Sequence, residues 1–349
     1  MSFGGVNTFQ QYSTDYGIGH NGVKVSFNFF DGIPEPSLLN SLASNDLKLI
    51  FKLLLKRDET TKEKALSDLL KLLEDLPDKE YLFDNDIFSL CWSQVYPKLL
   101  LSDSKNIRIQ SHQVTSKLIK TLNKRISKFL KDLIPLLLLG TCDTDAFVSR
   151  SSLNSINEAF NKDSKKINAL WILFHEDILN VIKEVVSIEN DGVLSDERYV
   201  GKDDAQLRYN RLLTAVLTLL VTLLKSDEKK INEHKRTYTQ ILSCESLWGP
   251  LSLKNTLFLK GYEISLQLIQ LLYHIGFFKL HKDVLKVSVR KLFKSLSQVN
   301  SKNILKVASL MVKITETLTL LDTYKDGRIW SYDKHSKERL KAFLSVCCT

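Results

Sequence analysis

YPKLLLSDSKNIR (96–108) and IPLLLLGTCDTDAFVSR (134–150) are two versions of one pattern: a proline, an apolar run, an aspartate, then an aliphatic residue and an arginine. Pro97 and Pro135 stand 38 positions apart, and Asp103 and Asp143 stand 40 apart. A third aspartate, Asp58 in LKRDETTKEKAL (55–66), precedes Asp103 by 45. A period of about 40–47 residues is that of HEAT-type helix pairs. The proline suits the start or a kink of the first helix, where a missing N–H costs least. The aspartate is expected to cap the next helix, and the arginine beyond the turn to reach across to a neighbouring repeat. A non-repeating helical bundle is the alternative arrangement.

Working outward, the rest of the chain agrees. Only 13 Gly and 6 Pro fall in 349 residues, which argues for long helices and against a turn-rich sandwich or barrel. Apolar residues recur at i, i+3, i+4 spacing over Asn45–Lys56 and Thr60–Leu76. Beyond residue 160 the register blurs, with polar breaks at 189–204 and 226–236 and helical segments at 205–225, 229–243, 257–275, 281–299 and 301–321. The first 33 residues hold six of the glycines, with an alternation of Val23, Val25, Phe27 and Phe29 that reads as extended chain. The predicted fold is all-α: an elongated HEAT/ARM-like solenoid with an extended N-terminal arm. The arm covers 1–36, the first repeats 37–160, and further repeats 161–349. The SVCCT ending follows an amphipathic stretch with no polar cap, so the array is expected to continue beyond it.

The net charge of +9 is concentrated. Residues 104–131 carry eight Lys/Arg and no acid, and 279–306 carry eight and one acid, leaving the remainder net acidic. Such blocks suit a polyanion or an acidic protein surface, unless they are only solvated helix faces. On one continuous helix, Lys117, Lys120, Lys124, Lys128 and Lys131 would form a stripe opposite Leu118, Leu122, Ile126, Phe129 and Leu133. A break near Asn123–Ser127 would destroy that phase. The stripe, with Arg108 and Arg125, would meet phosphates without reading sequence.

Catalytic signatures are absent: the chain has no phosphate loop, dinucleotide fingerprint, HExxH or nucleophile elbow. Five scattered cysteines, with no C-x-x-C pair and no His at ligand spacing, read as free thiols in a reducing compartment rather than a metal site. The apolar run Leu212–Leu224 has 13 residues including three Thr, too short for a membrane span, and the N-terminus lacks a signal peptide's basic and apolar regions.

FGGVNTFQQY (3–12), FKLLLKRDETTKEKALSDL (51–69) and the block from Ile107 to Asp145 resemble the N-terminal domain of the listerin family, closest to budding-yeast forms. NALWILFHEDILNVIKEVV (168–186) and GRIWSYDKHSKERLKAFLSV (327–346) extend the resemblance less sharply. Listerins are RING-type E3 ubiquitin ligases of ribosome-associated quality control. The resemblance implies a non-catalytic anchor that docks on the split large ribosomal subunit, touching RNA and protein near the sarcin–ricin loop, beside the NEMF-type quality-control cofactor. A distant RING would hold zinc, recruit the ubiquitin-conjugating enzyme and mark the stalled nascent chain for degradation. No RING cysteine pattern occurs here, so neither ligase activity nor a cofactor is expected of this segment alone. Cytoplasmic and also nuclear residence, with no membrane contact, follows.

By position, the resemblance points to Phe3, Asn7, Phe9 and Gln11 in the head, to Arg57, Asp58, Thr60, Thr61 and Lys62 at the first turn, and to Arg108, Gln110, His112, Lys117, Lys124 and Arg125. The competing reading is a generic HEAT scaffold or transport carrier that takes acidic partners on its inner face, for which acidic and Trp ladders would be the mark.

Overall fold

In the computed structural model the described residues are 18–19, 22–23, 38–74, 86–187, 201–254, 259–299, 302–325 and single positions at 338, 341, 344, 345 and 348. The expectations placed on Phe3, Asn7, Phe9, Gln11, Val25, Phe27 and Phe29, and on the 189–200 insertion, lie outside them. Val23 falls in a short antiparallel pairing, β1 (Ile18–Gly19) with β2 (Gly22–Val23). Apart from that pairing the described fold is all-α, and it divides into two compact units, Met1–Leu219 and Leu220–Thr349.

The first unit is a stack of helix pairs: α1 (Asn45–Leu54) with α2 (Glu59–Glu74), α3 (Asp86–Leu99) with α4 (Lys105–Leu122), α5 (Leu130–Thr141) with α6 (Ala146–Ala159), and α7 (Ser164–Leu173) with α8 (His175–Ser187). The second helices of successive pairs, α2, α4 and α6, pack side by side. Short polar residues start these helices by accepting from exposed N–H groups. Ser44 takes Leu47 N at 3.1 Å, Asp58 takes Thr61 N at 2.7 Å, Ser104 takes Ile107 N at 3.4 Å, and Asp145 takes Phe147 N and Val148 N at 2.8 and 3.2 Å. Phe51, Phe88, Trp92 and Tyr96 fill the core between the layers.

Hydrogen bonds across the stack measure the repeat directly. Ser104 reaches Glu63 41 residues back, and Ser116 donates to Ser155 O 39 residues on. In the second unit, α11 (Lys235–Ser243) packs on α14 (Lys282–Leu296), and α12 (Leu259–His274) on α15 (Ile304–Asp322). Its cross-repeat bonds span 42 residues for Thr239 and His281, 47 for Gln270 and Thr317, and 50 for Lys313 and Glu263. The short helices α10 (Glu228–Glu233) and α13 (Phe277–Leu280) also belong to that unit.

α9 (Lys202–Ser226) is long and apolar enough to cross a bilayer. Leu213, Val216, Leu217, Leu219, Leu220 and Leu223 are nevertheless buried against protein, as the short threonine-bearing run predicts. The continuous helix required by the lysine stripe is not there. α4 ends at Leu122, Asn123 adopts a φ of +46°, and residues Asn123–Phe129 form a 3₁₀ run before α5 begins.

Candidate functional site

Stacking of α2, α4 and α6 sets their N-terminal turns in a row along one edge of the first unit. Glu59 and Glu63, on the first turns of α2, take hold of the next turn. Glu59 accepts from Ser102 Oγ at 3.0 Å and Ser104 N at 3.2 Å, and Glu63 accepts from Ser104 Oγ at 2.5 Å. One step on, Arg108 Nε donates to Asp143 at 3.0 Å while its Nη1 donates to the carbonyls of Ser102 and Asp103 at 2.8 and 3.1 Å. α9 adds two more arginines: Arg208 reaches the Asp103 carboxylate at 2.5 Å, and Arg211 donates to Leu101 O at 2.9 Å. Three turns are thereby locked into one surface, and a planar guanidinium is the group suited to satisfying several acceptors at once.

Behind the row lies a polar plug in an apolar core. His112 Nδ1 is 2.8 Å from Tyr96 Oη, and Trp92 Nε1 donates to Thr115 Oγ1 at 3.0 Å. Burial, reinforced by the Arg108 charge, pushes His112 down to about 3, so it is neutral at physiological pH. Leu100, Arg108, His112, Gly140, Asp143 and Arg211 border a cavity of about 20 Å³, room for a single water.

On the outer side of the same edge sits Phe147, 61% exposed on the first turn of α6. Lys105 Nζ and Arg150 Cζ lie 5.2 and 5.3 Å from its ring centroid, within cation–π range. Burial would raise the Asp145 carboxyl, but the Phe147 and Val148 N–H groups and the Arg108 and Lys105 charges outweigh it, so Asp145 stays ionised as the cap beneath the ring. A fixed aromatic with two cations on it can seat a phosphate or carboxylate beside a flat or apolar group.

The sequence-derived candidates separate into three sets. Arg57, Asp58 and Thr60 are exposed at the first turn and belong to the row. Asp58 is the cap of α2, its carboxyl held low first by the Thr61 hydroxyl and then by the Thr61 N–H, while Lys62 is half-buried and burial lowers its ammonium. Arg108 and His112 are corrections: they are 3% and 1% exposed and bind the repeats together, so neither faces a partner. Gln110 is half-buried with its Oε1 enclosed. Lys117 lies toward the other end of α4, about 18 Å from Lys105 at 1.5 Å per residue, and is paired with Glu74, while Lys124 and Arg125 lie beyond that end in the 3₁₀ run. Asp103 and Asp143 also depart from expectation, because Ser104 and Asp145 are the caps and the two aspartates receive arginines instead. The cross-repeat arginine holds for Arg108; Arg150 bonds within its own helix, to Ala146 O.

Among the described residues no group of three or more His, Cys, Asp or Glu is placed to hold a metal ion. Burial raises the Cys91 and Cys142 thiols to about 12 and about 11, which makes both poor nucleophiles.

Residues 42–349 match the family model described as the N-terminal domain of E3 ubiquitin-protein ligase listerin. The chain belongs to the listerin family. It is 56% identical over its whole length to the listerin of Saccharomyces cerevisiae, of which it spans 22%. It is 32% identical over 62% of its length to the Neurospora crassa listerin and 25% identical over 60% to that of Gallus gallus, spanning 13% and 12% of those proteins. Within this listerin domain the sequence reading missed Lys105 and Phe147. Phe147 stands off the buried positions Val148, Ser152, Ser155 and Ile156 of its helix, and that misfit was the available signal.

Proposed function

We propose that this chain is the non-catalytic anchor of a RING-type ubiquitin ligase in ribosome-associated quality control. It holds the split, stalled large subunit so that a RING elsewhere in the protein ubiquitinates the nascent chain for degradation. Zinc and the ubiquitin-conjugating enzyme belong to that distant RING, the NEMF-type cofactor sits alongside the docked edge, and the work is done in the cytoplasm and also the nucleus. The observation that carries the reading is the exposed Lys105–Phe147–Arg150 cluster on a row of turns clamped by Arg108, Arg208 and Arg211. A clamped edge that presents two exposed cations on a ring suits a rigid, phosphate-rich partner, because little ordering is lost on docking. The helix pairs and their spacing support the HEAT-type assignment.

The carrier reading asks for a ladder of exposed tryptophans. Among the described residues Trp92 and Trp248 are fully buried core residues and Trp171 is half-buried, which weighs against it. Co-sedimentation of the chain with purified large subunits, with intact ribosomes as the comparison, tests the proposal. Saturable binding that favours the free large subunit and survives near-physiological salt is expected. Equal binding to both particles that vanishes as salt rises would overturn it.

A further inference from the structure

The second basic block stands in the other unit. Its centre is α14, whose inner face (Val284, Leu285, Ser288, Val289, Leu292 and Leu296) is buried. Lys282, Lys286, Arg290 and Lys294 recur every fourth residue on the outer side, within about a 120° arc and along about 18 Å of axis, and all four are exposed. Glu245 neutralises Arg290 and also reaches Lys291 at 3.6 Å. Lys282, Lys286 and Lys294 have no ion-pair partner among the described residues; Asp283 is the one acid in their arc.

Three ammonium groups with no ion-pair partner among the described residues, spaced four and eight residues apart along one arc, can neutralise a row of anions. We propose that the outer arc of α14 binds the phosphate backbone of an RNA duplex. The side chains in the arc argue for that occupant. Phe293 falls at the same angular position but is buried, so the arc presents no aromatic face to stack an unpaired base. Half-buried Val287 stands just beyond its margin and the other aliphatic side chains of the helix are buried, which leaves an acidic peptide without an apolar anchor. Lysines serve as point charges on phosphates and read no sequence, so the arc supplies affinity and orientation. In naming RNA rather than DNA the inference rests on the ribosome-docking reading.

The test is fluorescence anisotropy of the whole chain with a labelled 20-base-pair RNA duplex across 50–200 mM salt. The variant is Lys282→Gln/Lys286→Gln/Lys294→Gln. The control, Lys52→Gln/Lys56→Gln/Lys64→Gln, removes the same charge from exposed lysines of the first unit. Each lysine on a phosphate adds close to one unit of log–log salt slope, so the α14 variant should lose about three units. Its affinity should fall about 40-fold less than that of the unaltered chain over this salt range. The control should keep the slope. The proposal is overturned if the α14 variant and the control behave alike, or if single-stranded RNA binds as tightly as the duplex. Polyglutamate that competes as well as unlabelled duplex would likewise overturn it, in favour of an acidic protein. Whether α14 binds RNA is read separately from large-subunit binding by the first unit, so each proposal can fail without the other.

Discussion

Arg108 and Asp143 meet at 3.0 Å from successive repeats, 35 positions apart, with side chains only 4% and 11% exposed. The Arg108 guanidinium also satisfies the carbonyls of Ser102 and Asp103. Removing one partner of such a pair leaves a buried charge and orphaned acceptors, a cost of about 3–5 kcal/mol. Arg108→Ala is therefore expected to destabilise the first unit by that order in urea unfolding. Arg108→Lys should recover little, since one ammonium cannot reach three acceptors. A double-mutant cycle with Asp143→Asn should give a coupling well above 1 kcal/mol. A coupling near zero would show the two side chains to be independent.

Gly140 carries the second prediction. A Cβ built there would stand 2.2 Å from His112 Cε1, 2.3 Å from Nε2 and 2.6 Å from Ser152 Oγ. The imidazole is tied to Tyr96 and enclosed, so it cannot swing away. Gly140→Ala should cost about 1–3 kcal/mol through overpacking, although alanine is ordinarily the better helix former. His112→Ala placed in the same chain should relieve part of the loss in thermal unfolding. Absence of any relief would locate the strain elsewhere.

These two contacts explain how far the sequence could be read. The first three helix pairs were legible because proline and aspartate recur at nearly fixed intervals and the stabilising bonds span 35–45 residues. Past residue 160 the markers disappear, and the second unit stretches its cross-repeat bonds to 42–50 residues, so an alignment at constant period drifts out of phase. The burial of Arg108 and His112 was not legible, because α9 helps to enclose them from about 100 positions away. The lysine stripe failed on one local event, the positive φ of Asn123, which periodicity does not reveal.

Two buried titratable groups both make stability rise with pH, in separate windows. His112 has a native value of about 3 against an ordinary 6.5, so between those values the unfolded chain binds a proton that the native chain does not. Stability should fall on acidification through that window, by up to about 1.4 kcal/mol per pH unit. Burial, partly offset by Glu184, lowers Lys98 to about 7 from 10.5. Between those values the unfolded chain again binds the extra proton, so this group adds stability as the solution is made alkaline. His112→Gln should flatten the acid limb of a denaturation midpoint–pH curve, and Lys98→Met the alkaline rise. Unchanged limbs would assign the pH dependence to other groups.

The edge proposed to dock is separable from the fold, which makes its own prediction sharp. Phe147 is largely exposed, and Lys105 and Arg150 lean on its ring from outside the core. Phe147→Ala deletes the platform without opening a cavity, so unfolding should shift by no more than about 0.5 kcal/mol, as for other surface changes. Lys105→Glu/Arg150→Glu leaves the ring and reverses both charges. If the edge meets phosphates, the charge reversal should abolish co-sedimentation with large subunits at every salt concentration. Phe147→Ala should instead weaken it by about 5–10-fold, in line with losing one cation–π or stacking contact of ~1–1.4 kcal/mol. Binding left intact by both variants would remove this edge from the interface. Loss in Phe147→Ala alone would mean an apolar partner rather than a phosphate surface, since only the charges distinguish the two.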